Sequence, residues 1–79
     1  SGLALSCYTT QVGMQFYTAN SLAKRPLIGK AGKQFPRRGG FCLETQFFPN
    51  APANPHFPQP ELRMGEVWEA ETVYVLEEL

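Results

Sequence analysis

Apolar and polar positions alternate along most of this chain with a period of two, which is the signature of extended strands whose successive side chains point to opposite faces. In residues 3–10, Leu3, Leu5 and Cys7 fall on one side and Ala4, Ser6 and Tyr8 on the other, so a strand is predicted there. Gln11-Val12-Gly13 then reads as a short turn, with Gly13 able to take a positive φ. Met14 to Thr18 runs extended again, and a hairpin or close antiparallel neighbour is the expected result. Farther on, Gly39 to Pro49 alternates Phe41, Leu43, Thr45 and Phe47 against Cys42, Glu44, Gln46 and Phe48. From Val67 the pattern places Trp68, Ala70, Thr72, Tyr74 and Leu76 on one face and Val67, Glu69, Glu71, Val73 and Val75 on the other, a long strand with Glu77-Glu78-Leu79 as a solvated tail. No segment of useful length has helical periodicity and nothing repeats. The expected fold class is all-β, with four or five antiparallel strands and long loops.

Two loops separate these strands. Ser21 to Arg38 carries six of the seven basic residues (Lys24, Arg25, Lys30, Lys33, Arg37 and Arg38), punctuated by Pro26, Gly29, Gly32 and Pro36, and reads as exposed. Gly39 and Gly40 follow it and would permit close backbone approach at the entrance to the central strand. Pro49 to Pro60 holds five prolines in twelve residues, so neither a helix nor a ladder strand persists there. A disordered linker and an ordered loop laid on a sheet are both compatible with that composition.

Length and charge bound the functions open to such a chain. At 79 residues it is at most one small domain, and a chain of this size buries only about 60 to 65% of its unfolded surface. Seven basic and seven acidic residues balance, so no electrostatic grip on nucleic acid or a membrane surface is expected. The basic loop lacks the interleaved aromatics of a nucleic-acid groove, Phe35 apart, and the glycine pattern of a phosphate cradle. No apolar run approaches the ~20 residues of a membrane span, and the first residues lack signal-peptide regions. A soluble, unexported, cytoplasmic protein is the expectation. No Cys/His spacing suits zinc, and Cys7 and Cys42, each in the middle of a strand-like segment, read as free thiols packing as small hydrophobes.

Against this background Glu44 stands out as an acid in an apolar strand, side by side with Gln46. Flanked by Cys and aromatic residues, its carboxylate would be partly desolvated and so better able to accept a proton, although an acid in a strand commonly just points at water. Cys42 has no cation or helix terminus to activate it. His56 is the only histidine, hence the only conventional acid/base side chain near neutral pH, but its loop gives it no reason to face Glu44.

The wording of three blocks goes further. Gly40-Phe41-Cys42-Leu43-Glu44-Thr45-Gln46, followed by Pro49-Asn50-Ala51 and Asn54-Pro55, resembles the C-terminal region of the aldose 1-epimerases, also called galactose mutarotases. Gly13-Met14-Gln15-Phe16-Tyr17-Thr18-Ala19-Asn20 is similar to that family's strand ending in Tyr-Thr-small-Asn, and Leu62-Arg63-Met64-Gly65-Glu66-Val67-Trp68 to the start of its final strand. Val12 departs from the proline usual before this glycine. The resemblance implies that residues 1–79 are a partial domain, the C-terminal segment of a galactose mutarotase-like β-sandwich, with Leu3 beginning inside it.

It also implies an activity. Family members interconvert the α and β anomers of aldohexoses such as galactose and glucose without a cofactor or metal, using a carboxylate at the C1 hydroxyl and a histidine at the ring oxygen. Glu44 matches the general base, and Gln15, on the same side of its strand as Tyr17, matches an amide that contacts the sugar. Asn20 closes its motif and is expected to bond nearby backbone. The acid histidine, a second histidine, an arginine and an aspartate of the family's site match nothing in this chain. The expected partners are therefore an aldohexose and the missing N-terminal part of the domain or another protein chain, with the chain alone inactive. The alternative is a non-catalytic carbohydrate-binding or assembly module of the same fold, in which Gln15, Tyr17 and Trp68 supply the contacts. The remnant of an enzyme is a third.

Overall fold

The computed structural model describes every residue of the chain except Ala23, Arg25 and Pro26. Its elements are four strands, β1 (Leu3–Thr9), β2 (Gly13–Tyr17), β3 (Cys42–Gln46) and β4 (Thr72–Glu78), with single 3₁₀ turns at Lys30–Gly32 and Ala51–Ala53. The fold is all-β, as the alternation predicted. The strands pair as two two-stranded sheets, β1 with β4 and β2 with β3. Residues Ser1–Met14 with Thr45–Leu79 form one compact unit and Gln15–Glu44 a second. Among the described residues no helix is long and apolar enough to cross a membrane.

In the first unit β1 and β4 run antiparallel in unbroken register from Leu3↔Glu78 to Thr9↔Thr72. Backbone bonds continue the ladder at both ends, from Thr10 N to Glu71 O (3.1 Å) and from Leu79 N to Gly2 O (2.8 Å). This corrects two expectations. Glu77 and Glu78 are exposed, as expected, but are not a tail: they lie opposite Ala4 and Leu3 within β4, because β1 is long enough to give their backbone partners. Conversely Val67 to Glu71 lie outside any strand: the β1/β4 register ends at Thr9↔Thr72, and beyond it the chain turns, Gln11 N donating to Thr9 Oγ1 at 3.1 Å. Alternation marks which residues can extend, but a strand exists only where a second backbone meets it.

The expected β1/β2 hairpin is absent too. Gly13 is not among the positive-φ residues and is instead the first residue of β2. Its lack of a side chain serves a close approach, since a Cβ there would lie 3.0 Å from the Phe48 ring. The proline-rich loop takes the ordered of its two forms. Ala51 is fully buried, Asn54 N donates to Ala51 O and Phe57 N to Asn54 O, each at 2.9 Å, and Phe57 packs on Phe48 with ring centroids 5.1 Å apart.

In the second unit the basic loop is exposed over residues 30–40, as predicted; the part of that reading resting on Arg25 and Pro26 lies outside the described residues. A bridge between Ile28 and Gln34 closes a small turn, with Gly29 N to Lys33 O at 2.7 Å and Phe35 N to Leu27 O at 2.9 Å. Of the two glycines before β3, Gly39 is held tightly, a Cβ there meeting Pro36 at 2.8 Å, while Gly40 faces open space. Ala19 is buried, and its carbonyl accepts from Arg38 N at 3.0 Å.

Ala19 and Ala51 are the only buried apolar residues among those described, and large side chains such as Leu3, Phe16, Phe41 and Leu76 are more than half exposed. Two-stranded sheets without a covering layer have no inside, and an apolar face of this extent normally meets another surface.

Candidate functional site

β2 and β3 are both five residues long. Gly13 lies against the Gln46 carbonyl, and Phe16 meets Phe41 edge-on at 6.2 Å, so the strands run in opposite directions with their ends matched. Gln15 and Glu44 are the middle residues of the two strands and come to the same level of the ladder. By the alternation of side chains they share a face with Tyr17 and Cys42, while Phe16, Leu43 and Thr45 belong to the other. The structure thus brings together the two predicted site residues.

The surroundings of Glu44 differ from expectation. Phe41 and Phe47 belong to the opposite face by the alternation already read from the sequence, and Phe48, the aromatic predicted on the face of Glu44, lies beyond the end of β3 and packs on Phe57. Leu43, Thr45 and Phe47 are half-buried whereas Glu44 and Cys42 are exposed, so the predicted desolvation of the carboxylate is not present in this chain. Cys7 and Cys42 are free thiols. Cys7 is half-buried and packs as a small hydrophobe; exposed Cys42 does not.

Other candidates fall elsewhere. The Tyr17 hydroxyl pairs with Ser21 Oγ at 2.7 Å. Asn20 Oδ1 accepts from Arg38 Nε at 2.9 Å, so its bond is to a side chain rather than to the backbone as expected. His56, exposed in the proline-rich loop, sets its ring edge-on to Phe57 at 4.4 Å, and nothing in that stacking aligns it for proton transfer. Trp68 belongs to the first unit, where it lines a cavity of about 240 Å³ with Phe47, Pro60, Glu61 and Leu62, so Gln15, Tyr17 and Trp68 do not form one constellation within a unit. Among the described residues no group of three His, Cys, Asp or Glu side chains could hold a metal ion.

Two features escaped the sequence reading. Thr72 Oγ1 pairs with both Thr9 Oγ1 (3.1 Å) and Thr45 Oγ1 (3.0 Å), linking β4 to β1 and to β3; the β1/β4 register sets Thr9 opposite Thr72, and the spacing of these threonines along the chain foretold neither bond. Gln59 donates to several carbonyls of its own loop, and the one available signal was a lone amide between Pro58 and Pro60.

What polypeptides share this arrangement is answered by comparison with known proteins. The sequence model of the family described as Aldose 1-epimerase matches residues 1–75. The chain is 51% identical over 75 residues to galactose mutarotase of Sus scrofa, covering 95% of this chain and 22% of that protein. The corresponding figures are 50% over 72 residues, 91% and 21%, for galactose mutarotase of Homo sapiens. Aldose 1-epimerase of Escherichia coli (strain K12) is 38% identical over 74 residues, 91% of this chain and 21% of its own length. The chain spans about a fifth of the length of these relatives, and its antiparallel, helix-poor architecture agrees with the β-sandwich of the matching family. A match running over nearly the whole chain leaves one assignment: this chain belongs to the aldose 1-epimerase family.

Proposed function

We propose that this chain supplies the carboxylate and amide side of a site that interconverts the α and β anomers of an aldohexose such as galactose or glucose. The observation that carries the reading is the placement of Gln15 and Glu44 at the centres of paired strands, exposed on one face, in a chain that matches the family over residues 1–75. Glu44 takes the proton of the C1 hydroxyl. The electrons of that O–H bond form the C1 carbonyl, the bond from C1 to the ring oxygen breaks, and the ring oxygen is protonated by an acid from outside this chain. Rotation about C1–C2 and reversal of the same steps deliver the other anomer, with Glu44 returning its proton. Gln15 offers one donor and one acceptor group, which is what neighbouring sugar hydroxyls need.

The partner is the polypeptide that carries the acid. The chain spans about a fifth of its relatives, and the uncovered apolar side chains of β1 and β4, Leu3 and Leu76 among them, give such a partner a surface to bury. These exposed residues also favour the second reading, assembly without catalysis.

One experiment separates the two. A hybrid is made in which this chain replaces the matched 75 residues of the Sus scrofa galactose mutarotase, and anomer interconversion is followed by polarimetry. We expect the hybrid to be active, and Glu44→Gln, which keeps shape and hydrogen bonding but removes the basic lone pair, to lower kcat by roughly 10² or more with KM little changed. A Glu44→Gln hybrid within about threefold of its parent, far below the general-base range, would refute the assignment of the base.

A further inference from the structure

The loop from Pro49 to Pro60 closes around one side chain. Gln59 Nε2 lies 2.8 Å from the Ala51 carbonyl, 3.0 Å from that of Phe57 and 3.1 Å from that of Asn54. An amide nitrogen has two hydrogens, so three acceptors share two donors. The carbonyls belong to residues spaced three apart, and the turns from Ala51 to Asn54 and from Asn54 to Phe57 bring all three within reach of the one nitrogen. The Ala51 and Asn54 carbonyls also accept from Asn54 N and Phe57 N, so the amide adds a second donor to each of these turns and supplies the bond to the part-buried Phe57 carbonyl, which without it would turn to water.

What the loop holds is the end of the β2/β3 ladder. Phe57 packs on Phe48, and Phe48 lies over Gly13 so closely that a Cβ would come within 3.0 Å of its ring. Gly13 begins β2 two residues before Gln15, and Phe48 follows β3 four residues after Glu44. A two-stranded ladder is marginal by itself, and a slip of one residue would send Gln15 or Glu44 to the opposite face.

We propose that Gln59 is a positioning residue for the Gln15/Glu44 pair: it holds the loop closed, which seats Phe57 on Phe48 and Phe48 on Gly13 and so locks the register of β2 against β3. The kinetic side of this inference rests on the function proposed above, whereas the structural side does not.

The test uses Gln59→Ala, which removes the donor, and Gln59→Glu, which turns a carboxylate toward the carbonyls. In the 79-residue chain, hydrogen exchange of residues 42–57 should speed up by roughly tenfold or more in both variants while β1 stays unchanged. In the hybrid, misplacing both site residues should lower kcat and raise KM together, by roughly tenfold in kcat/KM or more. Loss of folded protein would lower only the apparent kcat. Gly13→Ala, pushing on Phe48 from the other side, should give the same paired signature. Unchanged exchange over residues 42–48, an equal rise in β1, or a kcat loss with constant KM would each overturn the proposal. Because exchange needs no activity, it decides the matter even if Glu44→Gln leaves turnover intact.

Discussion

The two strand pairs of this chain contrast in what they hold and what holds them. β1 and β4 make a seven-pair ladder continued by backbone bonds at both ends and tied across by threonine hydroxyls, yet they carry none of the residues assigned to chemistry. β2 and β3 are shorter, their middle residues Gln15 and Glu44 are exposed, and their end is pinned by a loop rather than by further pairing. A long ladder is stable through repetition, because each backbone bond adds to its neighbours. A short one bearing polar groups on one face depends on what packs against its ends and faces, and so it is where a site can be assembled from separate parts of a polypeptide.

The predictions sharpen this contrast. The largest effect concerns completeness. Each positioned acid or base typically contributes about 10² to 10⁴ in rate, and this chain has Glu44 as the proposed base while its one histidine, His56, is stacked on Phe57 in the proline-rich loop, so the 79 residues alone should show no anomer interconversion above background while the hybrid does. Turnover by the isolated chain would break the comparison outright. Next comes the split within the site, since Gln15→Ala in the hybrid should raise KM by roughly tenfold, the value of a hydrogen bond or two to a neutral partner, and change kcat less than Glu44→Gln does.

A smaller effect belongs to the other pair. Thr72→Val preserves the β-branched shape but removes the hydroxyl shared by Thr9 and Thr45, and should destabilise the β1/β4 region by about 1–3 kcal/mol, read as faster hydrogen exchange in β1. Equal protection in the variant would mean that the backbone ladder alone secures these strands. The smallest effect is chemical. Both cysteines are free, Cys42 exposed on the short ladder and Cys7 half-buried in the long one, so alkylation followed by mass spectrometry should label Cys42 several-fold faster, with protection of Cys7 following local opening. A mass two hydrogens short and mapping to this pair would instead reveal a disulfide.

The fold class, three of the four strands within a few residues and the exposed basic loop were legible in the sequence, because period-two alternation and the placing of proline and glycine are local properties that each segment carries by itself. Membership of the family was legible for the same reason: Glu44 and Gln15, the residues proposed for the site, sit in short motifs whose wording survives without knowledge of their neighbours. Pairing was not legible. The sequence predicted a hairpin or close antiparallel neighbour for the first two strands, and they instead pair with β4 and β3, because partner choice depends on which distant backbone arrives alongside. The same cause moved Glu77 and Glu78 from a tail into a strand and removed Val67 to Glu71 from one. It also left Glu44 exposed, since alternation says which face a side chain takes but not what covers that face. Only the tertiary structure could reveal that a glutamine between two prolines holds a loop closed, for its three acceptors are brought within reach of one nitrogen by turns that no single residue specifies.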